Sequence, residues 1–332
     1  MSPVRTPGAY RLLLLGLAVA LALSCIVALG FGPAAVPQAH VWGILAERLG
    51  MSAAGDWSRG QEHIVWLIRA PRVLLGALVG AGLALVGGAL QAATRNPLAD
   101  PHLLGVSSGA ALGAVLVLLY LGEFIGVLSL PLAAFVGALG STLLVLAIAS
   151  RHGRLESDRL LLAGVAVSFL CMALVNLLLF LGDHHAASSV VFWMLGGLGA
   201  ARWELLWPPA LCLALGLLVL LAQARGLNAL MAGEQTAVSL GFSARRVRLQ
   251  VFVCASLLTG VLVALSGAIG FVGLMLPHLA RRLLPVAALL GALFLVWVDV
   301  AARTLVAPED LPIGIATAAI GGLFFIGLLR RR

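Results

Sequence analysis

Lysine is absent from this chain of 332 residues, and charge of any sign is scarce, with Asp, Glu, Lys and Arg together making up 10%. Without a lysine there is no Gly-x-x-x-x-Gly-Lys loop to cradle a nucleotide phosphate, so the chain is not expected to hydrolyse ATP itself. The four cysteines, Cys25, Cys171, Cys212 and Cys254, stand singly inside apolar stretches and form no Cys-x-x-Cys pair. Neither a disulfide framework nor a metal cluster is indicated. What is abundant is hydrocarbon: 62% of residues are apolar and the mean hydropathy is +1.11. No soluble core hides that much apolar surface, so a lipid bilayer is the expected solvent and helices the expected spanning element.

The net charge of +8 is carried by arginine alone, and its distribution speaks for topology rather than for nucleic acid. With a cytoplasmic N-terminus and ten crossings, 15 of the 21 arginines fall on the cytoplasmic side. Arg48, Arg59, Arg69, Arg72, Arg202 and Arg303 fall on the other, as the positive-inside rule requires. The expected spans are residues 11–31, 72–91, 103–121, 128–149, 160–181, 204–224, 247–269, 271–283, 284–305 and 312–329. The first is read as a retained membrane helix rather than a cleaved signal. Short pieces at 41–49 and 190–198 are expected beside the membrane. Residues 227–241 are too polar to span and too periodic for a loop; Leu227, Leu230, Met231, Ala237 and Val238 recur at helical spacing and Gly241 suits a stop. They read as one cytoplasmic surface helix within a single transmembrane domain, 1–332. Gly76, Gly80, Gly105, Gly109 and Gly113 lie at four-residue spacings, which suits close helix packing in lipid.

No catalytic constellation is present. Asp183, His184 and His185 form the one histidine cluster, and a solvated external turn is the preferred reading over a metal site. Asp299 and Arg303 are four apart on one helix face and should pair. Ser168, Met172 and Asn176 make an i, i+4, i+8 stripe that lines a pathway or bonds a neighbouring helix. An ion-coupled secondary transporter needs free intramembrane acids and a membrane-embedded enzyme needs a polar cluster; the spans favour neither.

Several runs are more specific. Arg69-Ala-Pro-Arg72, Gly87-Gly-Ala-Leu-Gln91, Asn96-Pro-Leu-Ala-Asp-Pro101 and Leu104-Gly-Val-Ser-Ser-Gly-Ala110 are followed in order by Phe192-Trp-Met-Leu-Gly-Gly197 and Gly233-Glu-Gln-Thr-Ala237. Gly267-Ala-Ile-Gly-Phe-Val-Gly273, Pro277-His278 and Leu311-Pro-Ile-Gly314 complete the series. Over residues 10–330 the chain resembles the FecCD-type permeases of ABC importers for iron-siderophore, haem and vitamin B12. The resemblance implies an all-α fold of about ten transmembrane helices, like the vitamin B12 importer permease, in the bacterial inner membrane with both termini cytoplasmic. It further implies a second copy of the chain, two cytoplasmic ABC ATPase subunits that use ATP and Mg, and a periplasmic or lipid-anchored binding protein, with no cofactor on this chain.

By the same resemblance Leu227, Leu230, Glu234, Ala237 and Gly241 belong to a coupling helix that meets the ATPase. Arg69, Arg72 and Arg303 stand where external arginines grip acids of the binding protein, a task that suits a forked guanidinium. Ser157 and Asp158 stand at the cytoplasmic gate, and Ser168 and Asn176 on the pathway. Two departures from the family pattern are the shortened turn after Arg282 and Gly321-Gly322-Leu323 in place of Gly-Ala-Pro, where no kink is then expected. The expected cargo is a ferric siderophore, with cobalamin or haem as alternatives.

Overall fold

The computed structural model describes residues 7–51, 55–151, 154–155, 157–280 and 283–330. It is a helical bundle. In chain order its helices are α1 (Pro7–Ala28), α2 (Gln38–Arg48), α3 (Arg59–His63), α4 (Ala70–Thr94), α5 (Val106–Leu116), α6 (Ser129–Ala149), α7 (Ser157–Leu181) and α8 (His184–Met194). There follow α9 (Trp207–Ala222), α10 (Ala224–Ala232), α11 (Glu234–Ser239), α12 (Ala244–Ser266), α13 (Val272–Leu279), α14 (Leu284–Leu305) and α15 (Ile313–Leu329). Strand among the described residues is confined to Phe124–Val127 and a two-residue antiparallel pair in which Ser150 faces Leu155.

Seven helices are long and apolar enough to cross a membrane, and Val106–Leu121 and Ile313–Leu328 are shorter helices of the same character. The expected eighth span shrinks to the eight residues of α13, because Phe271 takes a left-handed conformation that starts the helix late and Ala280 ends it early. The expected second span instead grows. Ser58 and Gln61 form a capping box that starts α3 at Arg59, and a π-helical stretch, Ile64–Arg69, joins it to α4. The result is one 36-residue rod, Arg59–Thr94. The third span begins only at Val106, since Pro101–Leu104 is a 3-10 turn and Gly105 is left-handed. The piece expected at 190–198 is α8, which stops before Gly196 turns left-handed. The piece expected at 41–49 falls within α2, whose Val41 and Ile44 pack with Val65, Val73, Val296 and Val300. α15 is one continuous helix through Gly321-Gly322-Leu323.

Position in the bundle follows from side-chain size. α4 is apolar all round and buried nearly throughout, whereas α1 buries only Ala28 and lies at the periphery. Lipid tails are as apolar as leucine, so helices hold together in a bilayer by close packing. α4 and α14 achieve it where Gly80 and Gly291 meet: a Cβ on either would fall on the other's carbonyl. Gly87 meets the Gly273 carbonyl of α13 in the same way, and Gly109 and Gly113 of α5 meet Gly137 and Ala133 of α6.

Gly291→Ala forces backbone rather than a flexible side chain to move, and should cost about 2–3 kcal/mol of stability. Gly140→Ala, with nothing within 4 Å of the added methyl, should stay within about 0.5 kcal/mol. Thermal unfolding of the detergent-purified variants measures the contrast; equal stability would show that the α4–α14 seam is looser than described.

Candidate functional site

At one end of the bundle the π-helical stretch and α4 carry Arg69 and Arg72, and α14 carries Asp299 and Arg303. Arg72 Nε donates to Asp299 Oδ1 at 2.8 Å and its Nη1 donates to Asp310 Oδ2 in the link between α14 and α15. Arg303 Nε lies 3.3 Å from Asp299 Oδ2, the expected pairing one turn apart, and its Nη2 donates to the Ala28 carbonyl at 3.0 Å. Arg69 donates to the carbonyls of Leu29, at 2.8 Å, and Ala34. Ala28 is the last residue of α1, so Arg303 ties the end of that helix, and Arg69 the link that follows it, to this cluster. Arg69, Arg72 and Arg303, expected to grip a partner's carboxylates, are thus only 4, 8 and 2% exposed. The carboxylate grip expected of Arg72 is made inside the chain, and Asp310, 45% exposed at its side chain, is the part of the cluster open to the surroundings. Sequence reading missed Asp310, although it immediately precedes the Leu311-Pro-Ile-Gly314 run.

Next to this cluster, three separated runs come together. Gly197 N donates to Ser266 O at 2.8 Å, Ile313 N to Gly196 O at 3.0 Å and Gly314 N to Leu195 O at 3.1 Å. Gly196 and Gly267 have positive φ, 75° and 65°, where a side chain would be strained, and a Cβ on Gly314 would meet the Leu195 carbonyl. Unwound backbone between membrane helices must be paired inside the protein or line a wet cavity. Here it does both, since these segments wall a cavity of about 460 Å³ that also takes in Arg72, Asp310, Arg202, Glu123 and Trp193. A second junction joins the 87–91, 96–101 and 267–273 runs. Gln91 Nε2 donates to the carbonyls of Gly273 and Leu274, both at 3.2 Å, and His102 Nε2 lies 2.9 Å from Ile269 O.

At the other end the segment expected to be one helix over 227–241 is two. Gly233, at φ 136° and ψ 154°, breaks it into α10 and α11. Leu227, Leu230 and Ala237 turn inward and are buried, while Glu234, Val238 and Leu240 are exposed. Gly241 supplies the stop: Phe242 N donates to Ala237 O and Gly241 N to Val238 O, both at 2.9 Å, with Gly241 left-handed. Glu234 Oε2 accepts from Arg248 Nη2 at 3.0 Å. Arg248 was counted by sequence reading only as topology.

Ser157 and Asp158 open α7, and their side chains lie outside the described residues. Ser168 is half-buried with its Oγ lacking a partner, and Asn176 is exposed two turns further along the same helix. The side chains of His184 and His185 lie outside the described residues, and among those described no three His, Cys, Asp or Glu side chains gather as a metal site.

A model of the FecCD transport family matches residues 18–331. The hemin transport system permease protein HmuU of Yersinia pestis is 43% identical over 281 residues, 81% of this chain and 84% of that one. The vitamin B12 import system permease protein BtuC of Salmonella typhimurium is 43% identical over 290 residues, 83% of this chain and 87% of that one. Among solved structures, an inward-facing chain assigned to the metal-chelate type of ABC transporter superposes with a TM-score of 0.84 at 32% identity, covering 97% of this chain and all of that one.

Asp299→Asn leaves two buried guanidinium groups without their shared counter-charge, and should cost about 3–5 kcal/mol. Asp310→Asn removes an exposed partner and should cost about 1 kcal/mol or less. Unfolding midpoints of the two purified variants test the ranking; equal losses would mean that Asp299 is not the anchor of the cluster.

Proposed function

Because the chain belongs to the FecCD transport family, we propose that it is the membrane-spanning subunit of a binding-protein-dependent ABC importer that carries a metal chelate into the cytoplasm. The observation that carries this reading is the family match across residues 18–331, reinforced by the way the chain's ordered runs meet at two junctions, one of them beside the cavity. Two copies would enclose the path. The α10–α11 end would face two cytoplasmic ATPase subunits, the Arg72 end would face the binding protein, and both termini would lie in the cytoplasm of a bacterial inner-membrane protein. ATP and Mg would be used by those partners, and this chain would contribute a different affinity for each of their states.

Two relatives support a choice of cargo class. Permeases named for haem and for vitamin B12 are equally identical to this chain, and both cargoes are metal tetrapyrroles. A metal tetrapyrrole therefore ranks ahead of a ferric siderophore. Ion-coupled secondary transport would need a membrane acid free to load and release its cation. Asp299, the most buried acid described, is instead held between Arg72 and Arg303.

Cells lacking the gene should lose uptake of labelled haem or cobalamin and recover it only with the intact gene. Deleting the partner ATPase should cause the same loss. Loss of siderophore uptake alone would change the cargo; uptake that survives without the ATPase and collapses with the ion gradient would replace the ABC reading.

A further inference from the structure

We propose that Arg248 is a positioning residue that clamps α11, the segment facing the ATPase, to the end of α4. The inference rests on the importer reading above. Arg248 sits just past the first turn of α12, only 7% exposed, and divides its fork between two elements. Nε donates to the Ala93 carbonyl at 3.3 Å, one of the acceptors that the end of α4 leaves open, and Nη2 donates to Glu234 Oε2 at 3.0 Å. The first contact is buried; the second reaches a carboxylate whose side chain is 55% exposed.

Glu234 is the first residue of α11, and the Gly233 break uncouples α11 from the direction of α10. The only buried residue of α11 is Ala237. The ion pair is thus a polar link that ties this short helix to the bundle. With its carboxylate partner exposed, the pair is weaker than a fully buried one and can be broken and remade within a cycle. Arg248 therefore passes a displacement of α11 directly to α4, whose other end holds Asp299 and Asp310 through Arg72.

The decisive variant is Glu234→Gln, which removes the charged arm while leaving the Arg248 contact to Ala93 in place. In the permease with its four cysteines replaced by serine, spin labels at Leu98 and Gln235 report the distance between α11 and the turn that directly follows α4. The distribution should broaden in the variant. In liposomes holding the whole complex, the ATP hydrolysed per substrate moved should rise about five-fold, the loss expected from one such pair. An unchanged distance distribution overturns the clamp. A broadened one with an unchanged ratio, or transport and hydrolysis falling in parallel, overturns its role in coupling. Should the unaltered complex show no ATP-driven transport, the importer reading fails, and the distance measurement on the permease alone still decides the clamp.

Discussion

The contact on which the rest of the bundle depends is the seam between α4 and α14. It has two parts that need each other. At Gly80 and Gly291 the backbones approach so closely that no side chain fits between them, and above that point Arg72 reaches Asp299 across the same interface. In lipid there is little hydrophobic force to drive two apolar helices together, so packing and polar contacts must do it. The glycines allow the approach and the ion pair fixes the register. Removing one charge would strand the other, which makes the pair a constraint on the fold rather than a large net source of stability.

Breaks in the helices obey the same logic. Beside the cavity the break at 195–197 finds its backbone partners at two helix ends, 266 and 313–314. The breaks are not scattered because an isolated one would leave amides unpaired in hydrocarbon. Clustering them creates a place where the chain is held by single hydrogen bonds and left-handed glycines rather than by full helical turns. Such a place yields more easily than the rods around it, and it borders the cavity that also contains Arg72 and Asp310.

Much of this was legible in the sequence, because hydropathy reports spans directly and four-residue glycine spacing reports close faces. The pairing of Asp299 with Arg303 and the stop at Gly241 were legible for a similar reason, since both are local. What was hidden depends on distant partners or on backbone angles. Arg72 reads as an external charge until Asp299, 227 positions later, is folded against it. The early start at Arg59 was masked by Arg59, Glu62 and His63, polar residues that hydropathy scores as loop although the Ser58 cap makes them a helix. Gly233 breaks a segment whose apolar periodicity runs straight through it, because periodicity records which residues turn inward and not whether the backbone between them is continuous.

The 36-residue rod gives these separate features a common mechanical setting. From Arg72 to Ala93 α4 covers about 30 Å at ordinary helical rise, roughly the hydrocarbon thickness of a bilayer. Each end meets a buried arginine with one protected partner and one exposed carboxylate: Arg72 with Asp299 and Asp310, Arg248 with the Ala93 carbonyl and Glu234. The protected contact keeps the arginine in place; the exposed one holds a peripheral segment that a partner can reach. A helix packed on nearly all sides does not bend easily, so a force on either peripheral segment is carried by α4 to the other end instead of being absorbed between them.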